Sequence, residues 1–262
     1  MLSALKSKHL IYQLIQRDIA SKNKGSILGN GWSILTSIAT LAMYTFIFTK
    51  VFSAKWPHSN DENHFFYALQ IYTGLIVYNF VSEILSRAPT LVTDQSNLIQ
   101  KVAFSSEILP LIPLGSAFYF YIINSLIINI ACVFLLEKWH PSSLLVPLTI
   151  LPVASIALGL SYIISSLAVF IKDIRQVTYL SLPLLMFLSP IFYSSTTLSG
   201  WFKTLLELNP LSTSIEASRA LYFHNQPLEI KVIFIQTFFG VILIAIGFNF
   251  FSRLKKGFSD AF

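Results

Sequence analysis

The sequence predicts an all-α, polytopic membrane protein with six transmembrane helices, an N-terminal amphipathic interface helix and a re-entrant hairpin before the last helix. Three observations carry this expectation. Only 11% of the 262 residues are charged and 54% are hydrophobic, whereas soluble domains carry about 25% charged residues. Apolar runs recur that are long enough, at about 1.5 Å per residue, to cross a hydrocarbon core of roughly 30 Å. Finally, 12 of the 18 Lys and Arg residues fall in alternate connections, which places those segments and both termini on the cytoplasmic side. The same asymmetry accounts for the net charge of +6 without invoking nucleic acid.

The chain opens with Ile11, Ile15 and Ile19 at one-turn spacing, Leu14 beside them, and Gln13, Gln16 and Arg17 facing away. This pattern predicts a helix lying on the membrane over residues 1–25. No cleavable leader is expected, because Met1–Leu10 is polar and basic. A basic corner with Gly25 and Gly29 follows, where a hinge is expected. The first span then runs from Trp32 to Val51, with no charge before Lys50. The second is expected over Phe65–Leu85, the third over Ile108–Leu136 and the fourth over Leu144–Ile171. Pro110, Pro113, Pro147 and Pro152 are tolerable in spans whose neighbours satisfy the freed carbonyls. Between the second and third spans, 86–106 is a polar cytoplasmic segment in which Pro89 can start a helix, with Leu91, Val92, Leu98, Ile99 and Val102 as its apolar face.

The fifth span, Val177–Tyr193, reaches Pro190 after little more than the minimum length. The segment 194–229 that follows is neither span nor loop. Trp201 and Leu206 belong to one helical stripe, Asn209 is the expected N-cap of a second helix with Pro210 at its first position, and Glu216 and Arg219 are placed to pair. Each piece is too short and polar to cross alone. A re-entrant hairpin is the reading adopted; two helices lying flat on the outer leaflet are the alternative. Ile230–Phe251 is the last span, and Arg253, Lys255 and Lys256 follow it. All of 1–262 reads as one membrane domain.

Catalytic patterns are not found. The histidines lack metal-ligand spacing, Cys132 stands alone in an apolar run, and no Gly-Lys-Ser/Thr phosphate loop is present. The chain therefore has no nucleotide-hydrolysing motif and no catalytic, cofactor or metal residues are assigned to it. The near absence of intramembrane carboxylates argues against ion coupling. Aromatic residues make up 15% of the chain. Tyr44, Phe48, Phe187 and Tyr193 are candidates for rings lining a conduit, because broad aromatic faces stack on sugars without fixed hydrogen bonds. Interfacial belts are the alternative for each ring. A passive conduit needs a motor, and the inner connections are where one would dock. Arg87, Asp94, Asn97 and Lys101 in 86–106, with Lys172 and Asp173 at a second corner, are the candidate contacts; a merely solvated loop is the alternative. In the hairpin, Pro190, Trp201, Asn209, Pro210, Glu216 and Arg219 are candidate gate residues.

The motifs then form a familiar ordered set. Arg17-Asp18-Ile19, Lys22, Lys24, Ser26-Ile27-Leu28-Gly29, Trp32 and Tyr44-Thr45-Phe46-Ile47-Phe48 open it. Asn97 to Val102, Glu107 to Pro110, Lys172-Asp173-Ile174, Ser189 to Tyr193, Asn209-Pro210-Leu211 and Arg253 to Phe258 continue it. Taken together, the chain resembles the membrane subunits (permeases) of ABC transporters that export polysaccharides and polyol phosphates. Asn23 departs from the Arg or Tyr often found there, and Leu35-Thr36-Ser37 from an Asn-Pro in the first span. The resemblance implies a homodimer engaged by two ATPase subunits, which bind ATP and Mg, and a lipid-linked glycan as cargo. O-antigen is the favoured cargo, with capsule or teichoic acid as alternatives; a drug or lipid exporter, or a membrane-embedded lipid-modifying enzyme, are the rival readings. It also implies that the interface helix, with Arg17, Asp18, Lys22 and Lys24, lies on the lipid-admitting side, that 86–102 couples to the ATPase, and that 194–223 gates the outer mouth.

Overall fold

The computed structural model describes residues 2–22, 24–29, 31–47, 64–95, 106–195 and 199–258. Among them every regular element is helical. Helix α1 (Leu2–Lys22) carries the isoleucine stripe, and Ile15 is pressed so closely on Gly115 of the third expected span that a Cβ there would have to displace the Ile15 side chain. The corner that follows is made by left-handed turns at Gly25 (φ 85°) and Gly29 (φ 49°), a region favourable to glycine. The expected corner is therefore present.

Helix α2 (Gly31–Phe46) is rich in hydroxyls, and the helix itself satisfies them. Thr36 donates to Trp32 O, Ser37 to Ser33 O and Thr45 to Leu41 O, each at 2.8 Å. Helix α3 (His64–Arg87) is the most buried of the long helices and contacts α2 and the helices of the later chain. Helix α4 (Leu111–Leu136) starts just after Pro110 and ends at Glu137, whose φ of 53° stops it.

The fourth expected span is not one helix. A 3₁₀ segment Pro141–Leu145 and a single turn Val146–Thr149 precede helix α5 (Leu151–Leu167). Pro141, Pro147 and Pro152 each stand at the start of one of these pieces, where the missing N–H costs nothing. The prolines restart the helix and do not interrupt it.

Helix α6 (Asp173–Phe187) corrects the fifth expected span at both ends. It begins earlier, because Asp173 suits the positive first turn. It stops short of Tyr193, because the residue before Pro190 is pushed out of helical geometry. Helices α7 (Trp201–Leu208) and α8 (Pro210–Arg219) follow, then a π-turn Ala220–His224 and helix α9 (Ile230–Leu254).

Among the described residues, four helical stretches are long and apolar enough to cross a membrane: Phe65–Thr90, Ser106–Leu136, Pro141–Leu167 and Ile230–Gly257. Helices α2 and α6 have 16 and 15 residues, shorter than the six-span expectation needed. At α2 the described residues end before Phe48. In the 86–106 segment the described part is two 3₁₀ turns, Ala88–Thr90 and Thr93–Gln95, where one helix was expected. Leu91 and Val92 are nevertheless buried, as their place on the apolar face requires.

The core centres on α3, with Leu69, Ile71, Val77 and Ile84 fully enclosed. A second cluster joins Val92, Leu109, Tyr162, Phe251 and Phe258. Helices α5 and α9 form the most extensive pair. Gly247 permits this, since a Cβ there would lie 2.5 Å from Gly159 O. The outer face of α9 exposes Phe234, Phe238, Phe239 and Ile246. Such a continuous apolar face is unsuited to water and suited to lipid.

Candidate functional site

Polar groups gather at the two ends of α3. At the Arg87 end, Asp18 of α1 lies among cations and hydroxyls. Both Asp18 oxygens accept from the Arg87 guanidinium, one at 2.7 Å, and Ser116 of α4 donates at 2.5 Å. Glu83, one turn back on α3, accepts from Arg87 at 3.2 Å and pairs with Lys22 at 2.7 Å. Lys22 in turn sits 4.2 Å above the Phe120 ring. Burial pushes the Asp18 carboxyl up, but the hydrogen bonds from Arg87 and Ser116 and the charges of Arg87 and Lys22 outweigh it and hold it below the ordinary range. This clasp fixes α1 to α3 and α4. A cavity of about 240 Å³ beside it is lined by Lys22, Thr36, Asn79, Glu83 and Asn124.

Sequence reading placed Arg17, Asp18, Lys22 and Lys24 together on the interface helix. The structure separates them: Arg17, Lys22 and Lys24 are exposed, Lys22 reaching back to pair with Glu83, while Asp18 is half-buried. A signal for this was present. Ile11, Ile15, Asp18 and Lys22 fall on one helical face, so Asp18 interrupts an apolar stripe and needs a partner. Arg87, expected at the ATPase contact, is that partner.

Asp94, Lys172 and Asp173 are exposed. The turn Ala88–Thr90 packs against both α5 and α6, the helices joined at the Lys172–Asp173 corner, so the two expected docking corners adjoin. Asn97 and Lys101 lie outside the described residues. Lys255 pairs with Glu107 at 2.8 Å and brings the basic tail to the same region, an ion pair that sequence spacing of 148 residues gave no means to find.

At the other end of α3, helix α8 packs against the bundle. Asn209 caps α8, its Oδ1 accepting from Leu211 N at 3.0 Å, and its Nδ2 donates to Leu188 O at 3.2 Å and Ser189 Oγ at 3.1 Å. The expected cap is present and also ties α8 to the end of α6. Pro210 occupies the first helical turn. Pro190 is buried, and Trp201 is 77% exposed at the start of α7. Gly200 precedes it with φ 72°.

Arg219 is only 2% exposed. Its Nε and Nη2 donate to Gln70 O at 3.1 and 3.0 Å, Nη2 also to Ile191 O at 2.9 Å, and Nη1 to Glu216 at 3.2 Å. The expected Glu216–Arg219 pair is thus present, but most of the guanidinium is used to hold α8 on α3 and on the end of α6. A cavity of about 1020 Å³ opens here between α3, α7, α8 and the start of α9.

The conduit candidates divide. Phe187 is 63% exposed. Its ring lies 6.2 Å from Phe192, and Tyr193 Oη donates to Phe187 O at 3.2 Å, so the end of α6 forms one aromatic group. Tyr44 packs partly buried against the main core, and Phe48 is outside the described residues.

Comparison with known proteins places this arrangement. The model of the ABC-2 type transporter family matches residues 9–223, from α1 into the π-turn after α8. The chain belongs to the ABC-2 type transporter family. It is a multi-pass membrane protein of that family, and its resemblance to ABC permeases for polysaccharide export is borne out. It is 26% identical over 255 residues to an O-antigen export system permease protein RfbA of Klebsiella pneumoniae, covering 96% of this chain and 94% of that one. A second Klebsiella pneumoniae protein of the same name is 25% identical over 253 residues, with the same coverage. An O-antigen export system permease protein RfbA of Myxococcus xanthus is 21% identical over 269 residues, covering 96% and 95%.

Proposed function

We propose that this chain is the membrane subunit of an ATP-driven exporter that carries a lipid-linked polysaccharide, O-antigen in the favoured case, across the cytoplasmic membrane. The observation that carries the reading is the match, over nearly the whole length of both chains, to proteins named as O-antigen export permeases. Two copies of the chain form the conduit and two ATPase subunits bind ATP and Mg beneath it. The chain contributes binding, orientation and a path; nucleotide hydrolysis is the partner's chemistry.

In this reading six segments cross the membrane, with α2 and α6 as the short first and fifth spans, α1 on the inner surface, and both termini cytoplasmic. The gathering of Lys22, Arg87, Lys172 and the Lys255 tail toward one side supports that orientation. Helices α7 and α8 form the re-entrant gate. Burial of Leu211, Ile215 and Arg219 against the bundle supports this over two helices lying flat on the surface. The aromatic group at the end of α6, with Tyr44, offers rings to the passing glycan.

The test is deletion and complementation in the host. Loss of the chain should abolish surface polysaccharide while lipid-linked glycan accumulates inside, and the chain should co-purify with an ATPase. Unchanged surface polysaccharide in the deletion strain would overturn the reading.

A further inference from the structure

The cavity of about 1020 Å³ is at the upper end of the roughly 300–1,000 Å³ common for ligand pockets. Its wall contains two polar groups that the protein leaves unused. Gln70 is 1% exposed, and neither its carboxamide oxygen nor its nitrogen has a hydrogen-bond partner. Ser212 is 5% exposed and its hydroxyl is likewise unpartnered. Buried polar groups are almost always satisfied, because leaving them unmade forfeits their hydration without return. Two lie in one cavity wall on separate helices with their polar atoms just beneath its surface, where a small side-chain rotation would present them to a partner from outside the chain.

The chemistry of the wall says what kind. A carboxamide offers donors and an acceptor, and a serine hydroxyl offers both roles. Glu207, Glu216 and Glu229 also line the cavity, together with Lys203 and with Arg219, which is already committed to two carbonyls and Glu216. Arg219 pairs with Glu216 and Lys203 lies 3.9 Å from Glu207, so Glu229 leaves the wall with one net negative charge, which disfavours a phosphate or diphosphate. Phe66 adds an apolar surface to the same wall. Mixed donors and acceptors, an acidic rim and one aromatic face suit a neutral polyhydroxylated ring.

We propose that this cavity is a saccharide site, holding an uncharged sugar unit of the glycan beside the gate with Gln70 and Ser212 as its hydrogen-bonding partners. The proposal rests on the export reading for its source of sugar, and it adds a station outside the central path. A ligand here would bridge α3 and α8, whose relative position Arg219 sets.

The test uses the full chain in lipid nanodiscs with Ala217→Cys as a reporter in the cavity wall. The native thiol, Cys132, is buried at 3% exposure and does not compete for label. Maleimide labelling is followed with maltotriose, mannotriose, N-acetylchitotriose or inorganic pyrophosphate present. At least one trisaccharide at millimolar concentration should slow labelling, and pyrophosphate should not. Gln70→Met, which keeps the volume, and Ser212→Ala should each raise the half-protecting concentration about 3- to 10-fold. Protection by no trisaccharide, equal protection by pyrophosphate, or protection unaltered in Gln70→Met overturns the proposal; in the last case Gln70 is structural only. Surface polysaccharide in the complemented host is scored separately. Export without protection sinks the site alone, whereas failure of the wild-type chain to restore export sinks the reading beneath it.

Discussion

Replacing Asp18 by Asn isolates the clasp that holds α1 on the bundle. The substitution keeps side-chain shape and one acceptor oxygen but removes the charge that Arg87 grips. Breaking a fully buried pair costs about 3–5 kcal/mol. Here the cost is smaller, because Arg87 keeps Glu83 at 3.2 Å and its side chain is 31% exposed, against 14% for Asp18. Reducing charge-assisted hydrogen bonds to a neutral one in this half-screened setting costs about 1–2 kcal/mol. The detached population of α1 should then rise about 5- to 30-fold. Ile15→Cys, placed beneath Gly115, reports detachment through its maleimide labelling rate in nanodiscs. Asp173→Asn, at an exposed acid, is the control and should leave the rate unchanged. An Asp18→Asn rate within two-fold of the parent would refute the reasoning. The pH dependence follows from the lowered Asp18 pKa. A carboxylate with a depressed folded pKa contributes fully above its unfolded value of about 3.9, and the contribution fades as pH falls through the folded value. The thermal-midpoint gap between wild type and Asp18→Asn should therefore be constant near neutrality and close at acid pH.

Three further outcomes are expected. Gly247→Ala forces a methyl against the Gly159 carbonyl and should destabilise the α5–α9 pair by about 1–3 kcal/mol, read as a lower unfolding midpoint; an unchanged midpoint would mean the helices can separate freely. Asn209→Ala removes the α8 cap and its two bonds to the end of α6, costing about 0.5–2 kcal/mol and exposing the hairpin to protease added from the gate side. Lys172→Glu reverses charge at an exposed corner and should lower ATPase retention on co-purification without altering the chain's own melting; full retention would remove that corner from the docking surface.

Periodicity and turn chemistry made much of this fold legible. The isoleucine stripe predicted α1, Gly25 and Gly29 predicted the corner, and Asn209-Pro210 predicted the start of α8. These signals are local, and local geometry was enough to read them. The boundaries of α6 were harder, since an apolar run shows where lipid is tolerated and not where hydrogen bonding begins or ends. Pro147 and Pro152 were read as tolerated inside one continuous span, although proline is at least as suited to a first turn, where the structure places both. The clasp and the Arg219 contacts were illegible as pairings, because Asp18–Arg87 and Gln70–Arg219 join residues 69 and 149 positions apart. What could have been read was the demand for a partner. Asp18 shares a face with Ile11 and Ile15, and Arg219 one with Leu211 and Ile215, so each puts a charge where apolar residues pack.

Both demands are answered on the same helix. Arg87 and Gln70 lie 17 positions apart on α3, about 25 Å along its axis. Between them Tyr72 donates to Ser37 O and Asn124 Oδ1, at 3.1 and 2.7 Å, and Tyr78 to Leu182 O at 3.2 Å. Thus α3 is bonded in turn to α1, α2, α4, α6 and α8, and its enclosed side chains leave little room for it to bend. A helix so braced transmits displacement as a rod. Movement imposed at the Arg87 end, if a motor docks at the corners proposed there, would reach the Arg219 contacts on α8 without unfolding anything between them.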